Sequence, residues 1–127
     1  MAARSRELTV VTYNIRAGIG PGPFPPAWWT RVDRERLDGI ARYIADGRAD
    51  VVALQEVAVV TVDGVLTDMP HDLARATGLE ARYAAVGHFP VIDADSGETV
   101  GAAFWGNAIL SRWPIKSSRT VALPSAG

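Results

Sequence analysis

The run Val51-Val52-Ala53-Leu54-Gln55-Glu56-Val57 constrains the fold more than any other stretch of the chain. Four apolar side chains in succession leave no solvent-facing side. The run therefore predicts a central strand buried on both faces, entered at Asp50 and followed by a mostly irregular stretch. It delivers one carboxylate, Glu56, at a strand tip. In open α/β sheets ligands bind in the crevice outside the carboxyl ends of the strands, which makes an acid there a candidate for chemistry. The competing reading of Gln55-Glu56 is a solvated exit from the sheet.

With 127 residues, 48% of them hydrophobic and 21% charged, the chain has the composition of one ordinary globular domain rather than a disordered segment. A net charge of -1 gives no basic excess, which counts against a large phosphate-backbone footprint. Cysteine is absent, so disulfides and thiolate metal sites are excluded, and any metal must be held by oxygen or imidazole. That favours a hard cation. Arg4 and Arg6 are not followed by an apolar leader segment, and no run reaches the roughly eighteen apolar residues that a membrane span requires. The expectation is a cytoplasmic protein with no membrane span.

Upstream, Leu8 to Asn14 is rich in β-branched and aromatic residues and predicts a first strand ending on Asn14, with Arg16 beyond it. The glycines and prolines from Gly18 to Pro26 forbid regular structure, and Trp28 and Trp29 then either staple this loop to the domain or form a substrate wall. Asp33 is placed to cap a helix whose apolar positions Leu37, Ile40, Ala41 and Ile44 follow helical spacing, with Gly47 ending it. Strand, helix and strand give a β-α-β order.

After Glu56, Asp63-Gly64 predicts a small hairpin or an ordered loop, and Pro70 to Gly78 a short second helix. Leu79 to Val86 and Val100 to Phe104 read as a hairpin around Asp95-Ser96-Gly97. Gly106 to Ser111 reads as a further strand, and Ile115 to Leu123 as the start of another.

Three stretches in this order resemble the endonuclease/exonuclease/phosphatase family: Thr12-Tyr13-Asn14-Ile15-Arg16, Asp50 to Val57, and Gly106-Asn107-Ala108-Ile109-Leu110-Ser111-Arg112-Trp113-Pro114-Ile115, with the helix carrying Asp33 and Arg36 between the first two. The resemblance runs from about Leu8 to the end of the chain. It implies a four-layer α/β sandwich of which residues 1–127 form the first half of a single domain; the fold alternative left by the β-α-β order alone is a doubly wound parallel sheet.

The resemblance also implies divalent-metal-dependent hydrolysis of a phosphate ester by in-line attack of water. Glu56 matches the family's metal-binding glutamate, and Asn14 the asparagine beside the metal and the scissile phosphate. The chemistry is consistent, because Mg²⁺ (or Mn²⁺) accepts one or two carboxylates and keeps several waters, while an amide adds no charge that repels phosphate. Arg16 is a candidate phosphate contact, with a surface ion pair as its alternative, and Asn107 either lines the same crevice or makes a structural hydrogen bond.

Family members carry further motifs in a second half, an aspartate-asparagine pair, an aspartate and a terminal aspartate-histidine pair, that do not occur here. His71 and His88 lack that context and read as surface or structural residues. The chain alone is therefore expected to be inactive, and to self-associate through surface that the second half would cover. The substrate is a phosphate ester, with nucleic acid, phospholipid head group and inositol phosphate all open. Two other classes compete: a non-catalytic binding module on the same scaffold, and a sugar hydrolase in which Asp50 or Asp63 partners Glu56 at about 5 to 9.5 Å.

Overall fold

The computed structural model describes residues 7–19 and 33–124; the loop that carries Trp28 and Trp29 lies outside the described residues. The elements are β1 (Val10–Asn14), α1 (Arg34–Asp46), β2 (Val51–Val62), β3 (Val65–Asp68), α2 (Met69–Thr77), β4 (Glu80–Ile92) and β5 (Thr99–Ser111). The strands form one mixed sheet in the order β1-β2-β5-β4, with β3 also on β2. Only β1 and β2 run parallel, in register from Val10 beside Val51 to Asn14 beside Gln55, and the other pairs are antiparallel. A doubly wound parallel sheet is thereby excluded.

Local chemistry sets the helices. The Asp33 carboxylate accepts the Arg36 backbone N–H at 3.0 Å, satisfying one of the unpaired donors at the start of α1, and Leu37, Ala41 and Ile44 are buried on one helical stripe. Asp68 repeats the capping at α2, accepting from His71 N–H at 3.1 Å, and the helix stops at left-handed Gly78. The apolar stripes of both helices join Val52, Leu54 and Leu110 in one core. Arg34 bridges the helices to Asp72 at 2.6 Å, a contact at the surface that adds little to stability.

Sequence reasoning misjudges β2 in two ways. The strand does not end near Glu56 but continues to Val62, where Asp63 and Gly64, both left-handed, turn it into β3. That two-residue turn matches the twist of the strands it joins. Nor is the run buried on both faces, since Val52 and Leu54 are buried while Val51 and Ala53 are only partly so. In β5 the two expected strands, Val100 to Phe104 and Gly106 to Ser111, are one. Ile115 to Leu123 has no strand structure, and side chains take the backbone of Ile115: its N–H donates to Glu80 Oε2 at 2.8 Å and its carbonyl accepts from Arg82 at 2.9 Å. His71 and His88 are both exposed.

One edge of β2 pairs with β5 along its whole length. The opposite edge is divided between β1, along residues 51–55, and β3, along residues 59–62. Glu56, Val57 and Ala58 fall in the gap between them.

Candidate active site

A β-bulge lies at this gap. Leu54 pairs with Ala108 and Val57 with Gly106, so two residues of β2, Gln55 and Glu56, stand opposite the single residue Asn107 of β5. Glu56 absorbs the extra length with φ of +55°, a left-handed conformation that costs a non-glycine residue about 1 kcal/mol or more. On the other side, Asn14 pairs with Gln55, and the Ile15 N–H continues the ladder to the Gln55 carbonyl at 3.1 Å. The backbones of three neighbouring strands therefore bring Asn14, Glu56 and Asn107 to one level of the sheet. Asn14 and Asn107 are exposed, while Glu56 and Arg16 are half-buried.

Strain is concentrated here. Beyond Asn14 the chain turns through Arg16, Ala17 and Gly18, all left-handed, with φ of 46°, 51° and 73°. The Asn14 side chain holds this turn, its Oδ1 accepting the Arg16 N–H at 3.0 Å, and Gly18 N–H closes it on the Ile15 carbonyl at 2.8 Å. Gln55 locks β1 to β2 at the same level, donating through Nε2 to Thr12 Oγ1 at 2.9 Å and to the Ala53 carbonyl at 3.2 Å. Of the left-handed non-glycine residues, Arg16, Ala17, Arg48 and Asp63 lie in turns, and Glu56 alone lies within a strand. Backbone strain of this kind persists where the surrounding structure over-determines it, and it clusters at functional sites.

The Glu56 side chain makes no hydrogen bond or ion pair with any described residue. The residue is half-buried, and its carboxylate is unengaged among the described residues. No group of three or more histidines and acids gathers around a common point among the described residues. A cleft of about 450 Å³ opens between the β1 tip and α1, lined by Asn14, Arg16, Tyr13, Tyr43, Arg36 and Gly39 among others. Asn14 and Arg16 share this cleft; Glu56 and Asn107 stand outside its lining. Asn14 is the residue common to both arrangements, the cleft wall and the bulge level.

Two residues that matter to the site were not singled out in the sequence. Gly106 pairs with Val57 at the edge of the bulge, and a Cβ there would run into the Ala84 carbonyl of β4. Tyr83 of β4 reaches across β5 and donates from its hydroxyl to the Val57 carbonyl at 3.2 Å. Burial, with the Asp68 charge as a lesser cause, pushes the Tyr83 phenol up to about 12. The glycine before Asn107 is a visible signal of close backbone approach, while nothing local to Tyr83 announces its contact.

The sugar-hydrolase arrangement fails on distance. At about 3.3 Å per strand residue, Asp50 and Asp63 each stand about 20 Å from Glu56, well beyond the 5 to 9.5 Å that two catalytic carboxylates require.

The model of the endonuclease/exonuclease/phosphatase family matches residues 11–126, and the chain belongs to that family. Among solved structures it is similar to an endonuclease/exonuclease/phosphatase from Beutenbergia cavernae DSM 12333, with 26% identity and a TM-score of 0.55 over 85% of this chain and 27% of that one. It shares its fold with an endonuclease/exonuclease/phosphatase family protein from Leptotrichia buccalis C-1013-b, at 19% identity and a TM-score of 0.53, over 87% of this chain and 39% of that one. No curated protein matches it. The chain thus spans well under half the length of either structure, and its mixed sheet with two helices is a part of their fold.

Proposed function

We propose that residues 1–127 are the N-terminal part of one metal-dependent phosphoesterase domain, in which Glu56 binds Mg²⁺ or Mn²⁺, Asn14 stands beside the metal and the scissile phosphate, and Arg16 and Asn107 contact phosphate oxygens. One observation carries the reading: a carboxylate unengaged among the described residues, on a strained bulge, stands level with amides on both neighbouring strands. The donor set suits a hard, hydrated cation, since one carboxylate with amide oxygens leaves most of the coordination shell to water and substrate. Such a cation supplies charge neutralisation at the phosphate and a more acidic bound water.

This chain's own groups do the rest by position. With Oδ1 turned to the Arg16 N–H, Asn14 has its NH₂ and one oxygen lone pair without a partner among the described residues, a donor for a phosphate oxygen and an acceptor for water. The Arg16 guanidinium offers a planar fork of donors to phosphate. Asn107 adds an uncharged donor from the opposite strand. Proton transfer to and from the reacting oxygens needs a base and an acid from outside these residues, so the isolated chain is expected to bind but not to turn over. It is also expected to self-associate through the exposed apolar sheet face that includes Val10 and Ile109. The cytoplasmic location belongs to the same proposal.

Mg²⁺-dependent hydrolysis of bis(4-nitrophenyl) phosphate by the full-length protein tests it. Glu56→Gln should cut turnover at least about 100-fold, the scale on which removing a group that acts in the transition state is felt. Turnover that survives the substitution removes Glu56 from the mechanism.

A further inference from the structure

We infer that Tyr83 is a positioning residue for Glu56: its hydroxyl pins the carbonyl of the next residue, Val57, and so holds the bulge in the form that presents the carboxylate. The inference rests on the metal-binding reading of Glu56 and adds to it a residue that touches neither metal nor substrate.

Tyr83 sits on β4, and β5 separates it from β2. A phenol can span that interval only where the strand between is low. At this level β5 carries Ala108, the partner of Tyr83, and Gly106, the partner of Val57. The hydroxyl thereby reaches the Val57 carbonyl at 3.2 Å. Gly106 permits a second close approach, because β4 has its own irregularity between Ala85 and Gly87, beside the Ala85–Gly106 pair. Two irregularities thus flank one glycine, and Tyr83 ties one to the other's strand.

Glu56 needs such a tie. Its left-handed φ is unfavourable for a residue with a Cβ, and relaxing the bulge would swing its side chain toward the other face of the sheet, since strand side chains alternate. Gln55 fixes the β1 side of the bulge through Thr12. Tyr83 fixes the β4 side. The phenol is half-buried, and the Val57 carbonyl is the partner its hydroxyl takes.

The experiment is Mn²⁺ binding to the full-length protein, followed by water-proton relaxation, for the wild type, Tyr83→Phe, Glu56→Gln and Asp33→Ala. Tyr83→Phe keeps the ring and loses the hydroxyl, and should weaken Mn²⁺ binding about 10-fold, the lower end of what loss of a supporting hydrogen bond does to a metal site. Asp33→Ala removes the α1 cap and lowers thermal stability without touching the bulge, and should leave Mn²⁺ affinity unchanged. Wild-type affinity in Tyr83→Phe, while Glu56→Gln loses binding, overturns the role of Tyr83 and leaves that of Glu56 standing. Equal weakening in Asp33→Ala and Tyr83→Phe also overturns it, because general loosening then accounts for both. Wild-type affinity in Glu56→Gln overturns the metal-binding reading and this inference with it.

Discussion

Asp50 and Glu56 stand on one strand path, six residues apart, in opposite circumstances. Asp50, at the entry to β2, is buried to 6% exposure and fully engaged: Oδ2 accepts the Thr9 N–H at 2.8 Å and Oδ1 faces the Arg112 guanidinium at 3.1 Å. Its backbone carbonyl takes the Arg112 N–H as well, at 2.9 Å. Glu56 has no partner among the described residues and sits on a backbone that is itself strained. One acid ties the end of the sheet where β1, β2 and β5 meet, and the other stands on the bulge with no such tie among the described residues. Acidity and position on a strand do not separate the two; hydrogen-bond satisfaction does.

The largest expected difference between them is functional. Glu56→Gln should lower Mg²⁺-dependent turnover at least about 100-fold while shifting unfolding free energy by less than about 0.5 kcal/mol, as a conservative change at an unengaged side chain. Urea unfolding together with the turnover assay reads both numbers. Next comes Gly106→Ala, whose new Cβ meets the Ala84 carbonyl. Forcing β4 and β5 apart there should cost about 3 kcal/mol, visible as an earlier urea midpoint.

Asp50→Ala should cost about 2 kcal/mol by leaving the Thr9 N–H unpaired and Arg112 without its counter-charge, yet leave Mn²⁺ affinity at the wild-type value. A loss of Mn²⁺ binding there would erase the contrast between the two acids.

The smallest effect concerns Asp93, in the β4–β5 turn. Backbone N–H groups of Ser96 and Asp95 hold its carboxyl below the ordinary 3.8. Because the folded-state value is depressed, its contribution is complete above that ordinary value and is lost as pH falls through the depressed one. The acid limb of a stability curve for Asp93→Ala should therefore be slightly flatter than wild type below about pH 4.

What could be read in the sequence follows a physical divide. Asp33 and Gly47 bound α1, Pro70 and Gly78 bound α2, and Asp63-Gly64 turns a hairpin, because caps and turns are decided by residues within a few positions of each other. Asn14, Glu56 and Asn107 were legible as candidates through resemblance to family motifs, and the register of three strands puts them level, but only Asn14 ends its strand, while Glu56 and Asn107 lie inside β2 and β5. The bulge was not legible, nor was the continuation of β2 to Val62, since both depend on how β5 and β3 pair with it. The stretch after Pro114 has the β-branched content of a strand but gives its backbone groups at Ile115 to side chains of Glu80 and Arg82, a competition no propensity encodes.

The most direct measurement of the central claim is Mn²⁺-induced broadening of assigned NMR resonances, which reports distance from a bound cation without requiring turnover. The account predicts that Glu56 and the side-chain amides of Asn14 and Asn107 broaden together at low Mn²⁺, with Asp50 and Asp63 unaffected. Broadening centred on Asp50 or Asp63, or Asn14 and Asn107 remaining sharp while Glu56 broadens, would contradict it.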